Sequence, residues 1–276
     1  MVRFNHHVQS NAPILMKPIS LNEFGNKRFS RFDSYKFASK DALAPLVVKE
    51  MPKACLILPI GFAHVGEDFV PVVVQGLQPG KNLFVAPDGR WVARYVPAVY
   101  RGYPFALANT DDGRQVLCFQ EESGLLSDDG EPFFDGDKPT KAINDILDFL
   151  TQMAANRAAT ARICALLKEH SLIQPWPIKL EDPEKPEAAR NIEGLFRIDE
   201  AAFNKLDKDA LAVIRDGGAL PLIFCQLLSM QHLPVLGELA KALAEVEKQA
   251  ALPKNEAGEI DLTFLADDTT ISFENL

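Results

Sequence analysis

"PTKAINDILDFLTQMAANRAATARICALLKEH", residues 139–170, is where the character of the chain changes. Ile143, Ile146, Leu147, Leu150, Ala154, Ala158 and Ala161 recur at three- and four-residue steps, the repeat of one helix face. Pro139 stands near the first turn, where a missing N–H is tolerated. The alanines on that face leave room for a neighbour to approach closely. A long central helix is expected.

Upstream the pattern belongs to strands. "CLILPI", "FVPVVVQGL", "NLFVA", "RWVARYV", "YPFALA" and "RQVLCFQ" are short β-branched or aromatic runs between about 46 and 120. Asp88-Gly89, Asp112-Gly113, Asp129-Gly130 and Asp135-Gly136 punctuate this half and its end. Tight hairpin turns need positive φ at their central residues, and Asp-Gly supplies it at low steric cost. An antiparallel, meandering sheet follows.

Downstream, Pro175, Pro177, Pro183 and Pro186 interrupt the helical period, giving a strand with a loop or a linker. Asp199 and Asp207 stand where helix N-caps belong, and Gly217-Gly218 where a helix ends. "ALPLIFCQLLSMQHL" is apolar almost all round and reads as a buried helix. "PVLGELAKALAEVEKQ" is amphipathic, with Val235, Leu239, Ala242 and Val246 on one face. The fold class is α+β: an antiparallel meandering sheet in the N-terminal half, then a long central helix and a helical C-terminal half. The expected division is an N-terminal arm over 1–45, an α+β domain over 46–250, and an extended or strand-like tail over 251–276.

With 276 residues, 47% of them hydrophobic, the chain can bury a substantial core. A net charge of −9 argues against nucleic acid and anionic membranes as partners. No run of eighteen apolar residues suggests a membrane span, and the first residues lack the apolar centre of a secretory signal. Cytoplasmic residence is the expectation. Cys55, Cys118, Cys164 and Cys225 are far apart in apolar surroundings and read as buried free thiols.

Phosphate-loop, dinucleotide, nucleophile-elbow and zinc-protease signatures are missing. His64, close to Glu67 and Asp68, reads as part of a solvated strand-turn rather than a metal ligand. The acidic run 127–139 lacks the spacing of a calcium loop and reads as hairpin turns. No metal and no cofactor are expected.

One run remains: "NLFVAPDGRWVARYVPAVYRGYPF", residues 82–105, with three tyrosines, a tryptophan and three arginines. On a regular strand Trp91, Ala93 and Tyr95 share a face, with Arg90, Val92, Arg94 and Val96 on the other. If that alternation survives Pro97, Arg101 and Tyr103 rejoin the aromatic face. If Pro97 instead opens a helical turn closed by Gly102, they do not. Asn82, Trp91, Tyr95, Arg101 and Tyr103 form the candidate ligand-binding set, through cation–π contact and a guanidinium fork for carboxylate or phosphate. The structural alternative is that the aromatics fill a core and the arginine pairs with an internal acid.

The same residues resemble a family. "GKNLFVAPDGRWVARYVPAVYRGYPFAL" and "LCFQEESGLLSDDGEPFFDGDKPT", followed by "GLFRIDEAAFNKLDKDAL" and "GGALPLIFCQLLSMQHL", are similar to the SapC family of bacterial proteins. Gly80, Asn82, Leu83, Phe84, Gly89, Trp91, Tyr95, Pro97, Arg101, Tyr103, Pro104 and Phe105 carry the likeness, which covers about residues 45–235. The resemblance brings no catalytic residues. It implies an accessory role in peptide or small-molecule modification, because members are encoded near outer-membrane receptors and flavin-dependent tryptophan halogenases. The leading reading is therefore a soluble, non-catalytic binding or accessory protein for a protein, peptide or small-molecule ligand. The alternatives are an enzyme of a new type in such a pathway, and a component of the surface layer after whose locus the family is named. Nothing in the residues sets an oligomeric state.

Overall fold

The computed structural model describes residues 2–3, 15–110, 113–180 and 190–250. The tail expected over 251–276 lies outside them. Eight strands matter to the site: β1 (Met16–Pro18), β2 (Leu43–Pro45), β3 (Ile60–Val65), β4 (Asp68–Val74), β5 (Phe105–Asn109), β6 (Gln115–Gln120), β7 (Ile173–Pro175) and β8 (Phe196–Ile198). The principal helices are α1 (Lys141–Glu169), α2 (Lys208–Asp216), α3 (Leu220–Ser229) and α4 (Leu233–Ala250).

The strands form two antiparallel sheets of consequence. The larger runs β7-β8-β3-β4-β2 and the smaller β1-β6-β5. The α+β class stands as read, with one refinement: β7 and β8 of the larger sheet come from beyond α1. The arm expected over 1–45 is woven, in its described residues, into both sheets through β1 and β2.

Helix α1 joins the two halves. At 29 residues it is about 43 Å long. Its first turns give Ile143, Ile146, Leu147 and Leu150 to a small core of Phe24, Phe29, Phe105, Leu117, Phe119 and Phe133. Its last turns give Ile163, Cys164 and Leu167 to the large core of the five-stranded sheet. The packed stripe departs from the alanine face read in the sequence. Ala158 and Ala161 are exposed, and Thr160 takes the buried position between the two cores. Its hydroxyl accepts from Val48 N–H at 2.8 Å and donates to the Asn156 carbonyl at 2.7 Å, so a polar side chain is satisfied there.

The C-terminal helices cover the large sheet. Helix α3 packs on β8 and β3, and Gln226 and Ser229 complete hydrogen bonds that the strands leave open. Gln226 accepts from Ile198 N–H at 2.9 Å and donates to the Ile60 carbonyl at 3.0 Å, while Ser229 Oγ accepts from Ile60 N–H at 3.1 Å. Asp207 caps α2 as its position foretold, accepting from Asp209 and Ala210 N–H. Residues Leu220–Lys248 are long and apolar enough to cross a membrane by length and composition. Here a short 3-10 turn at Met230–His232 divides them, and Leu222, Ile223 and Leu236 are buried in the core. In α4 the packed positions are Leu233, Leu236, Leu239, Ala240 and Leu243, while Val246 stays exposed.

Three runs expected as strands are not strands. "CLILPI" follows a helical turn at Met51–Ala54, and β3 starts only at Ile60. "NLFVA" and "RWVARYV" meet in the single bridge Val85–Trp91 around the Asp88-Gly89 turn, where Gly89 has φ 93°.

Candidate functional site

The segment after Trp91 folds back on itself. The Trp91 indole N–H donates to the Tyr95 carbonyl at 2.9 Å, closing a loop where a strand was expected. Alternation between faces therefore fails already at residues 92–96. Pro97 then opens the helical turn Ala98–Arg101, closed by Gly102. A Cβ at Gly102 would stand 2.8 Å from Leu150 Cδ2, so the glycine lets this turn lie against α1.

Glu50 organises the segment from below. It ends the 3-10 turn Val48–Glu50 and is 6% exposed. Its Oε1 accepts from Val47 N–H at 2.9 Å, one half of a capping box, because valine has no side-chain oxygen to supply the other. Its Oε2 accepts from Tyr95 Oη–H and from Ala98 N–H, both at 2.8 Å. A carboxylate withdrawn from water is tolerable when donors surround it, and here three do. Arg101 Nη2 donates to the Tyr95 hydroxyl at 2.9 Å, and the guanidinium lies 5.4 Å from the Tyr95 ring centroid. Burial, and then the Glu50 charge, push the Tyr95 hydroxyl well above its ordinary pKa, so it stays protonated at neutral pH.

The five candidate residues take different places. Asn82 is 2% exposed and acts as a turn keystone: Nδ2 donates to the Ala38 carbonyl at 3.0 Å and Oδ1 accepts from Phe84 N–H at 2.9 Å. Trp91 is half-buried, stacked near Phe84 and flanked by Tyr35 and Tyr100. Tyr103 leaves on the far side of the turn and stacks on Phe37 at 3.8 Å between centroids. It lines a hollow of about 280 Å3 with Phe32, Tyr35 and Arg101. Tyr95 and Arg101 remain together, at the wall of a second pocket of about 430 Å3.

That second pocket brings together three stretches of chain. Lys49, Glu50 and Lys53 come from the turns before β3, Arg94, Tyr95 and Arg101 from the loop, and Phe149, Met153 and Asn156 from α1. Lys49, Lys53, Arg94 and Arg101 are exposed, and among the described residues none forms an ion pair with a carboxylate. The lining holds no histidine, cysteine, serine or threonine.

The loop and pocket fall inside a family match. The sequence profile of the SapC family matches residues 19–236. The chain belongs to the SapC family. No curated protein and no solved structure matches it. The family match spans the buried residues of both cores of this SapC protein and every residue of the pocket.

Sequence reading missed Lys49, Lys53 and Arg94 as partners of Arg101. The first two sit one helical turn apart in "VVKEMPKA", but their link to the loop runs through Glu50, forty-eight residues before Ala98. Arg94 was placed opposite Tyr95 by strand alternation, which the Trp91–Tyr95 bond abolishes. His64 lies near the end of β3 beside the Gly66-Glu67 turn of the β3–β4 hairpin, a strand-turn as read, but its ring is packed 4.2 Å from that of Phe69 and 4.7 Å from that of Phe196 rather than solvated. No group of three or more His, Cys, Asp or Glu is placed to hold a metal among the described residues. In the acidic run, Glu131 pairs with Arg31 at 2.7 Å and Asp135 starts a hairpin.

Proposed function

We propose that this SapC protein is a non-catalytic binding protein whose pocket at Arg101 takes the anionic group of a peptide or small metabolite. One observation carries the reading: four cationic side chains without a carboxylate partner crowd one pocket of a chain whose net charge is −9. In an acidic protein, uncompensated cations gathered over low-dielectric walls focus the field on that spot and draw anions to it. Arg101 is pre-set, since its contacts with Tyr95 and the Val96 carbonyl hold the guanidinium in place before any ligand arrives.

The same geometry favours binding over chemistry. The one carboxylate of the pocket, Glu50, is engaged by three donors of its own chain. The Tyr95 hydroxyl is held protonated and donates inward. Among the residues that line the pocket, no serine, threonine or cysteine is paired with a base as covalent catalysis by such a nucleophile needs.

The test is an NMR titration of the whole protein with acetate, citrate and inorganic phosphate. Shift changes are expected at residues 49–53 and 94–101, weakening as salt is added. They should vanish in a Lys49→Glu/Arg94→Glu double variant, whose exposed substitutions leave the core intact. Absence of shifts in the native protein, or the same shifts in the double variant, sinks the proposal.

A further inference from the structure

The cationic pocket does not end at Val47 and Met153. Both residues also line a further hollow, of about 380 Å3. There the walls are apolar: Phe69, Val70 and Pro71 from β4, Val99 from the loop, and Ala161 from α1. Thr160 lines it too, but its hydroxyl is already used on both sides, by Val48 N–H and the Asn156 carbonyl. The wall therefore offers little to water. Arg157 is the one charged residue there, and Val65 at the lining is 48% exposed.

From Phe149 in the cationic pocket to Ala161 in the apolar hollow, the two follow α1 for about 18 Å of its axis. Met153 stands at their junction. An unbranched thioether with three rotatable bonds can swing aside where a branched side chain would block.

We propose that the two hollows form one groove for a carboxylate-headed amphiphile, a fatty-acid-like chain. The head sits among Lys49, Lys53, Arg94 and Arg101, and the acyl chain passes Met153 into the arm between Phe69 and Ala161. This rests on reading the cationic pocket as an anion site and adds the class of molecule. Neither half selects such a molecule alone. The cationic end accepts any small anion and the apolar arm gives no orientation, so a ligand satisfying both must carry a charge at one end and a chain at the other.

Calorimetry on the whole protein with acetate, octanoate, dodecanoate and hexadecanoate tests the idea, with dodecanol as the neutral control. Affinity should rise by about threefold for each added methylene until the arm is full. Dodecanol should bind at least about tenfold more weakly than dodecanoate, since it lacks the charge. In Ala161→Trp, an exposed helix position where the indole fills the arm, the dodecanoate-to-acetate ratio should fall by about tenfold or more. As a second measurement, the methyl signals of Val70, Val99 and Met153 should shift with dodecanoate and not with acetate.

Acetate binding with no gain from chain length overturns the groove and leaves the anion site standing. Equal binding of dodecanol overturns the role of the cationic head. An unchanged ratio in Ala161→Trp, with no methyl shifts, overturns the position of the chain. Failure of every carboxylate to bind overturns the anion site itself.

Discussion

In the small core, Phe24, Phe29, Phe105, Phe119 and Phe133 pack ring against ring, and the charges stay outside, where Lys17 and Lys27 meet Glu121 and Arg31 meets Glu131. In the large core, which mixes aliphatic and aromatic side chains, Glu50, Gln75, Asn82, Gln226 and Ser229 are buried and hydrogen-bond to backbone or side chain, with Gln75 Oε1 left without a partner among the described residues. An aromatic cluster stabilises by area and packing and constrains the backbone loosely. A buried polar group constrains it tightly, because a lost partner leaves an unpaired group in a low-dielectric interior. The candidate pocket lies where such a group, Glu50, ties the 95–98 backbone to the turn before β3. The small core clamps the start of α1, and the large core shapes the site.

The largest expected effect lies in the small core. Phe119 is fully buried, and Phe119→Ala should lower stability by about 3–5 kcal/mol in urea denaturation. A loss under about 1 kcal/mol would show that the ring cluster does not hold the lobe together.

Glu50→Ala should come next, at about 3 kcal/mol, because Val47 N–H, Ala98 N–H and the Tyr95 hydroxyl all lose their acceptor. Unlike Phe119→Ala, it should also remove the anion-induced shifts at residues 94–101. Retained shifts in Glu50→Ala would erase the distinction between the two cores.

Tyr95→Phe keeps the ring and removes only the hydroxyl between Glu50 and Arg101. Its cost should be about 1 kcal/mol by the same denaturation measurement. A neutral result would mean that Arg101 and Glu50 adjust without it.

The smallest effect concerns alkaline pH. Burial raises Tyr95 and Tyr100 above the ordinary tyrosine value of 10.0, helped by Glu50 and Asp41 respectively. A raised folded-state pKa means that the folded protein holds a proton which the unfolded chain gives up near pH 10. This contribution is therefore complete below about pH 10 and is lost as pH rises further. Melting temperatures at pH 9 and 11 should show the fall, about pH 10, and Tyr100→Phe should flatten it. The small core carries no tyrosine among its buried residues and should add nothing to this slope.

Legibility in the sequence followed the range of each interaction. The caps at Asp199 and Asp207 were legible because a capping side chain reaches only two or three residues ahead. The long helix was legible from its repeat, yet not which face it buries. Thr160 replaces the alanines because Val48 N–H, more than a hundred residues away, needs an acceptor there. The candidate set lies together in sequence and separates in space. Asn82 and Trp91 serve the loop's own architecture, Tyr103 faces another hollow, and Tyr95 and Arg101 alone line the cationic pocket.

By itself the sequence determined the α+β class, the long helix, the caps and the family, since hydrophobic period, capping and a spaced signature are properties of neighbouring residues. Only the tertiary structure decided that Lys49 and Lys53 meet Arg94 and Arg101, and that a pocket with an apolar arm opens between them and α1. The physical reason is that a buried carboxylate and the side of a long helix set the distance between segments far apart in the chain. No local pattern records such a distance.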